Sequence, residues 1–211
     1  MTITEPMTMA TDYLMGALAL VLGVRLARSG VTSGHGPVLL WAGLFVCTAA
    51  ASFFGGTHHG LAQILSHGTN RTLWQVTLYA TGLGSACLLG GAALAGTAGW
   101  VRSLLLALVV VKLLTYTWWM STHTDFLFVI IDYGSALLLT MIVAWMSNTG
   151  GMSAALPWLN AGAAVAVVAA LIQALEVAPH PQFNHNDLFH VVQMGALYLL
   201  YRGGMLLGVR G

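Results

Sequence analysis

Charged residues are scarce in this sequence. Only 6% of its 211 residues are Asp, Glu, Lys or Arg, and 58% are hydrophobic. A soluble domain carries about 25% charged residues. The composition therefore excludes an ordinary soluble domain and predicts an integral membrane protein with short loops. The net charge of +1 also leaves no basic surface for nucleic acid.

Two signatures of secreted proteins are also missing. The chain has only two cysteines, Cys47 and Cys87, and both fall inside apolar runs. We therefore expect buried free thiols and no disulfide framework. The residues before the first apolar run include Glu5 and Asp12, whereas a signal peptide has a basic start and a small-residue cleavage site.

Seven apolar runs are long enough to cross a membrane, since a spanning helix needs about 20 mostly apolar residues. Turn-forming residues separate the runs. We predict an all-α, integral membrane bundle of seven transmembrane helices in a single domain, residues 1–211. The predicted spans are approximately 12–28, 38–65, 73–95, 101–120, 125–146, 154–176 and 187–208.

The arginines predict the orientation of the bundle. Cytoplasmic loops of membrane proteins carry an excess of Lys and Arg near the helix ends. Five arginines fall on one side of the predicted bundle, and only Arg71 falls on the other. We therefore expect the N terminus outside and the C terminus in the cytoplasm, in a bacterial inner membrane. The five are Arg25, Arg28, Arg102, Arg202 and Arg210.

Histidines gather on the opposite side, and all six acidic residues also fall on or toward that side. Seven of the eight histidines lie toward the predicted outer side, and only His35 lies inside. The charge rule for membrane topology does not apply to histidine. This asymmetry predicts a polar or metal-binding cavity open to the outer half of the membrane. The seven are His58, His59, His67, His123, His180, His185 and His190.

One polar cluster opens the last predicted span, in the stretch FNHNDLFHVV. Asn184 is suited to cap the helix, and Asp187 has the spacing of a capping box, although Asp187 is also a candidate catalytic residue. His190 lies one turn into the helix. His185 precedes it by five residues, about 140° around a helix, so the two converge only if the first turn is irregular.

A second cluster lies in the outer half of span two, in the stretch SFFGGTHHG. Ser52 and His59 are seven residues apart and share a helix face. Gly55 and Gly56 permit close approach of another helix. His58 points about 100° away from His59. We select Ser52 and His59 as functional candidates, with hydrogen bonding between helices as the simpler alternative for each imidazole.

Histidines from two spans on one side of a membrane suit Zn²⁺. Three protein ligands and a water molecule form the usual catalytic site, in which the bound water becomes a nucleophile near neutral pH. The candidate ligands are His59, His185 and His190. The sequence lacks an HExxH motif, so the prediction of a zinc site depends only on the position of these three histidines on one side of the membrane.

Two opposite charges lie near the middle of consecutive spans. Lys112 is the only lysine of the chain, and Asp132 is in the next span. Charges inside lipid are usually paired. We expect an ion pair between them, with a mainly structural role. The alternative is that Asp132 orients a metal-ligating histidine.

These features resemble the CREST superfamily of seven-span membrane proteins, which includes alkaline ceramidases and the adiponectin/progestin receptors. Ser52 and His59 resemble that family's span-two pair, and His190 resembles its second span-seven histidine. Asn186 stands where the family has its first span-seven histidine, with His185 displaced by one residue. Three differences stand out: this substitution, a longer Ser-to-His spacing in span two, and the lack of an Asp at the start of span three.

The resemblance implies a zinc-dependent hydrolase of lipid amides or esters. His59, His185 and His190 would hold the metal, Ser52 or Asp187 would assist, and membrane lipids would be the partners. A non-catalytic relative is the nearest alternative. A haem or electron-transfer protein using intramembrane histidines and a small proton-coupled transporter also remain open. A retinal protein is disfavoured because Lys112 lies in span four.

Overall fold

The computed structural model describes residues 3–208. In this range the chain forms seven helices and no β-strand, so the all-α prediction is confirmed. Each helix coincides with one predicted apolar run, and α1 and α3 extend further at both ends than predicted. The helices are α1 (Pro6–Ser33), α2 (Gly36–Leu61), α3 (His67–Gly96), α4 (Gly99–Met120), α5 (Phe126–Met146), α6 (Gly150–Ala174) and α7 (His185–Leu206).

Side-chain caps fix the starts of three helices. Ser66 Oγ accepts a hydrogen bond from Thr69 N at the start of α3, and Asp125 Oδ1 accepts one from Leu127 N at the start of α5. At α7, Asn184 accepts bonds from the first turn, and Asp187 accepts one from the Asn184 backbone N–H. The predicted capping box is therefore confirmed.

Six of the seven helices, α1 to α6, are long and apolar enough to cross a membrane. This supports the prediction of a membrane protein. Helix α7 is not among the six, although its 22 residues have sufficient length. Polar residues along the helix account for the difference, because His190 and Gln193 near its start and Arg202 near its end lower the mean hydropathy of the segment.

The core of the bundle lies where α2 packs against its neighbours. Trp41 and Phe45 of α2 are completely buried. Trp41 Nε1 donates a hydrogen bond of 3.1 Å to the backbone oxygen of Leu200 in α7. The indole ring occupies the space beside Gly204, where a Cβ atom would overlap it. This contact fixes α7 against the centre of the bundle.

Helix α4 is peripheral and is held by a few polar contacts. Lys112 Nζ forms an ion pair with Asp132 of α5 and donates a hydrogen bond of 2.9 Å to Ser85 Oγ of α3. Tyr116 Oη donates to the backbone oxygen of Leu78 at 3.0 Å. The expected ion pair is therefore confirmed. Asp132 pairs with the lysine and does not contact a histidine among the hydrogen bonds of residues 3–208.

The cysteines lie in neighbouring helices. Cys47 in α2 and Cys87 in α3 are both free, as the sequence predicts. Both are partly rather than completely buried. No disulfide therefore ties α2 to α3 within the described residues, and packing and hydrogen bonds such as that from Thr77 Oγ1 to the backbone oxygen of Ala51 hold the two helices together.

Candidate functional site

A cavity of about 210 Å³ lies among α1, α2, α3, α5, α6 and α7. Most of its wall is apolar. Polar side chains concentrate toward the ends of the helices that meet near the start of α7. The polar residues in the wall include Asp12, Ser52, His59, Gln173, Asn186 and His190. The cavity is therefore amphipathic, with a polar end and an apolar body.

His190 and Asp12 form the buried polar centre of this cavity. His190 Nε2 lies 3.2 Å from Asp12 Oδ1, and both side chains are less than a tenth exposed. On the other side of the ring, His190 Nδ1 lies 3.0 Å from Thr11 Oγ1. Because Thr11 and Asp12 are consecutive in α1, one turn of that helix holds both edges of the imidazole.

The hydrogen bonds limit where protons lie on Thr11, His190 and Asp12. Thr11 Oγ1 also lies 3.1 Å from the backbone oxygen of Thr8. When the hydroxyl donates to that oxygen, it accepts from His190 and Nδ1 carries a proton; in the other tautomer of the ring, the hydroxyl donates to Nδ1. Nε2 then faces Asp12 with one proton between them, on the carboxyl or on the imidazole. Asp12 and His190 thus form a dyad that shares a proton inside the bundle.

The close approach of α1 and α2 depends on a glycine. A Cβ atom at Gly56 would lie 2.8 Å from Asp12 Cβ and against the Tyr13 ring. A side chain there would push α1 away from α2. The glycines in the span-two cluster therefore allow α1 to pack closely against α2, as the sequence predicts. The α1 residue at this contact is Asp12, which supplies the carboxylate of the dyad.

Asp187 stands behind the cavity rather than in its wall. Its Oδ2 accepts the Asn184 N–H at 2.8 Å, and Asn184 Nδ2 donates to Thr8 Oγ1 of α1 at 3.4 Å. Asp187 is 1% exposed, and its Oδ1 has no hydrogen-bond partner among residues 3–208. The geometry supports the capping role of Asp187 and gives it no contact with the cavity.

His59 connects the cavity with the surface. Its side chain lines the cavity, and its Nδ1 lies 3.3 Å from Glu5 Oε2, which is 40% exposed on its side chain. The N-terminal segment crosses the end of α2 here, since Thr4 N donates to the backbone oxygen of Gly60 at 3.0 Å. Glu5 and His59 therefore mark the aqueous end of the site.

Aromatic rings close the same end. His58 stacks on Trp74 of α3, with ring centroids 5.0 Å apart. Trp74 Nε1 donates to the backbone oxygen of Thr124 at 2.9 Å, which fixes the indole at the cavity wall. Phe126 and Phe189 complete the group with an edge-to-face contact. His58 therefore supports the wall from outside, while His59 faces the cavity.

Several polar atoms in the cavity wall have no hydrogen-bond partner among the described residues. They belong to Asp12, Ser52, Tyr133 and Gln173. Asp12 and Ser52 are 4% and 2% exposed. Buried polar atoms are normally satisfied in native proteins. Their concentration in one cavity indicates a place for a polar group of a ligand.

The cavity brings together three of the predicted site residues. Ser52, His59 and His190 all line it. His185, the first residue of α7, and Asp187 do not. Asn186, which stands where the CREST superfamily has its first span-seven histidine, lines the wall in place of His185.

The geometry does not fit a three-histidine zinc site. Both ring nitrogens of His190 face other partners, Thr11 and Asp12. Across residues 3–208, no three His, Cys, Asp or Glu side chains converge as a metal-binding group. Zinc binding by His59, His185 and His190 remains a prediction for elemental analysis of the purified protein, and no step below passes through a metal.

Sequence reasoning missed the partner of His190. Asp12 appears in the sequence only as one of the acids at the start of the first apolar run. The signal was its position inside α1, six residues beyond Pro6, because a carboxylate within an apolar helix needs a partner. Gln173 and Tyr133 were also missed: Gln173 is a single polar residue between apolar neighbours, and Tyr133 directly follows Asp132, to which the polar signal of that span was assigned.

The sequence matches the model of a protein family. The model of a family of unknown function, DUF6962, matches residues 7–208. No curated protein and no solved structure matches the sequence. The family match includes α1 from its second residue, all of α2 to α7, and every residue of the cavity wall. Since it extends over nearly the whole chain, this protein belongs to the DUF6962 family.

Proposed function

We propose that this protein is a membrane-embedded hydrolase of lipid amides or esters, with Asp12 and His190 as its acid–base dyad. The observation that carries the proposal is the buried, proton-sharing dyad at the polar end of an otherwise apolar cavity. An amphiphilic lipid satisfies both parts of such a cavity. Its acyl chain fills the apolar body, and its amide or ester bond lies near the dyad.

The Asp12–His190 dyad can accept a proton from water and return it to the leaving group, as hydrolysis requires. Asp12 Oδ2 has no hydrogen-bond partner among the described residues. In the proposed reaction it accepts a proton from a water molecule whose oxygen attacks the acyl carbon. The dyad then holds two protons, and the positive charge on His190 stabilises the oxyanion. Return of one proton to the leaving nitrogen or oxygen breaks the C–N or C–O bond and releases a fatty acid.

Ser52 is suited to assist this reaction. Its Oγ is buried in the cavity wall and has no partner within residues 3–208. It lies one turn before Gly55, whose Cα faces the Asp12 carboxylate. We assign it the donation of a hydrogen bond to the carbonyl oxygen of the lipid. This keeps the assisting role that the resemblance implies for Ser52 and transfers the role of Asp187 to Asp12.

The proposal includes a seventh membrane crossing by α7, with the N terminus outside. The hydrogen bond from Trp41 to Leu200 holds α7 inside the bundle of the six apolar helices. Its polar first turns face α1 and the cavity rather than lipid. The dyad then lies in the outer half of the membrane, near the aqueous end at Glu5 and His59.

The lipid enters sideways, between α5 and α6. These helices contact each other less than α6 contacts α7. Gly134 in α5 and Val167 in α6 both line the cavity and are exposed on the outer surface of the bundle, Val167 to 54%. Nothing lies within 4 Å of a Cβ placed at Gly134. The gap beside these residues gives an acyl chain direct access from the bilayer.

Replacing Gly134 by Trp is expected to lower kcat/KM for a long-chain lipid by about tenfold, equivalent to about 1.4 kcal/mol in the barrier. The Cβ atom at position 134 would meet no neighbouring atom, and the indole beyond it would occupy the entrance. Hydrolysis of a short water-soluble ester should change much less. Leu114→Trp, which adds the same ring to the exposed face of α4, is the matched control. Equal rates for Gly134→Trp and the control would contradict the lateral entrance.

The direct test of the function is fatty acid release. Protein in nanodiscs should release free fatty acid from long-chain amide or ester lipids, measured by mass spectrometry against protein-free nanodiscs. Turnover of at least one lipid class supports the hydrolase. A complete absence of release across both classes, with the protein folded and monodisperse, would contradict it and favour a non-catalytic lipid-binding relative.

A further inference from the structure

Hydroxyl groups in the cavity wall fall into two classes. Three threonines each donate to a backbone oxygen four residues earlier in their own helix. They are Thr48, Thr77 and Thr81. By contrast, Ser52 Oγ and Tyr133 Oη are buried in the same wall and have no hydrogen-bond partner among residues 3–208. The protons of these two hydroxyls therefore lack an acceptor, which is costly for a buried group.

Ser52 lies about one helical turn deeper in the cavity than the dyad. It is three residues before Gly55 in α2, and a Cβ atom at Gly55 would lie 3.7 Å from both carboxylate oxygens of Asp12. Three residues of a helix rise about 4.5 Å. Because α2 runs toward the polar end of the cavity, Ser52 lies about this distance further into the apolar body than Asp12.

Tyr133 reaches a similar depth from α5. The side-chain amide of Gln193 lies beside its hydroxyl, and Gln193 is three residues after His190 in α7. Helix α7 begins at the polar end, so Gln193 is one turn deeper than His190. The Tyr133 hydroxyl therefore also lies about one turn below the dyad. An amide there can donate to the Tyr133 oxygen, while the hydroxyl proton still lacks an acceptor.

Two hydroxyl donors at one depth suit a carbonyl oxygen. Such an oxygen has two lone pairs and can accept one hydrogen bond from each hydroxyl. A water molecule fits between a carbonyl held there and the dyad, as the proposed reaction requires. The wall continues with the apolar Leu137, one turn beyond Tyr133 in α5, so the alkyl chain of the ligand extends away from the dyad.

We infer that the hydroxyls of Ser52 and Tyr133 together hold the carbonyl oxygen of a long-chain amphiphile, and that Tyr133 is a further catalytic residue of this site. The inference rests on the proposed function for the orientation of the lipid, with its head at the dyad and its chain in the apolar body. Both hydrogen bonds would strengthen as negative charge develops on the carbonyl oxygen. Binding of the carbonyl group itself does not require turnover.

The test uses undecyl methyl ketone, an amphiphile with a carbonyl group that hydrolysis cannot cleave. Its C=O stretching band moves to lower wavenumber when the oxygen accepts hydrogen bonds. Infrared spectra are recorded with the protein in excess, in dodecyl maltoside, which has no carbonyl group. The difference between ketone with and without an isotope label on the carbonyl carbon isolates the band. With the wild-type protein, the band should lie below its position in hexane.

Tyr133→Phe removes only the hydroxyl and should return the band part of the way toward its position in hexane. It should also raise the Kd of the ketone about fivefold, equivalent to about 1 kcal/mol, the usual net value of one hydrogen bond. Ser52→Ala should have a comparable effect, and the double variant should bring the band close to its position in hexane. Tyr198→Phe is the matched control, because Tyr198 is 46% exposed and lies outside the cavity wall.

A band at the hexane position in the wild-type protein would overturn the inference, whether or not the variants fold. A lowered band that neither Tyr133→Phe nor Ser52→Ala changes would also overturn it, since other groups would then hold the carbonyl. A response to Ser52→Ala alone would remove Tyr133 from the site. The hydrolase proposal fails separately, when the wild-type protein holds the ketone through both hydroxyls but releases no fatty acid from amide or ester lipids.

Discussion

Replacing Lys112 by Met is expected to lower the free energy of unfolding by about 3–5 kcal/mol, because it leaves the Asp132 carboxylate unpaired inside the bundle. The Asp132 side chain is 8% exposed, and that of Lys112 is 16% exposed. Solvent therefore screens the pair only weakly. Thermal unfolding of the detergent-solubilised variant, followed by circular dichroism, measures the loss.

The double variant Lys112→Met/Asp132→Leu separates the cost of an unpaired charge from the value of the pair. It should recover most of the lost stability, since apolar replacement of a buried pair is often neutral or stabilising. A single variant as stable as the wild type would show that α4 does not depend on this contact. Tyr116, which donates to the Leu78 backbone, would then be the main attachment of α4.

The second large effect concerns the dyad. His190→Ala and Asp12→Ala should each lower kcat/KM for lipid hydrolysis by about 10²–10⁴-fold, the usual contribution of general acid–base catalysis. The double variant should lose little more than the worse single variant, because the residues that share one proton act as a unit. Fatty acid release in nanodiscs provides the measurement.

His67→Gln is a suitable control for the dyad variants, because His67 is an exposed histidine at the start of α3 and outside the cavity wall. It should keep full activity. Losses that multiply in the double variant would show that Asp12 and His190 act separately. Full activity in either single variant would remove the dyad from the mechanism.

Zinc content distinguishes the two roles considered for the histidines, which are zinc ligation and membership of a metal-independent dyad. The sequence favours three ligands, His59, His185 and His190. The geometry favours a metal-independent dyad, because the ring of His190 is held on both edges by α1. About one zinc per chain, lost in His190→Ala but not in His67→Gln, would return the mechanism to the metal-dependent one that the resemblance implies.

Local patterns predicted the helices well, because each depends on a short stretch of chain. A run of about 20 apolar residues forms a helix wherever it packs, and Asn184 and Asp187 form their capping box within one turn. The shared face of Ser52 and His59 likewise follows from helix periodicity, and both residues line the cavity. The Lys112–Asp132 ion pair was predictable because an intramembrane charge needs a partner, and only these two lie near mid-span.

By itself, the sequence determined the helical architecture, the apolar character and the polar clusters at one end of the bundle. Only the tertiary structure decided which polar residues meet. Asp12 and His190 are 178 positions apart, and their contact arises because α1 packs between α2 and α7. His185 is excluded from the cavity wall because α7 begins at that residue as a regular helix, which leaves His185 and His190 on different faces. Helix periodicity acts over a few residues, whereas the packing that joins α1 to α7 depends on the whole bundle.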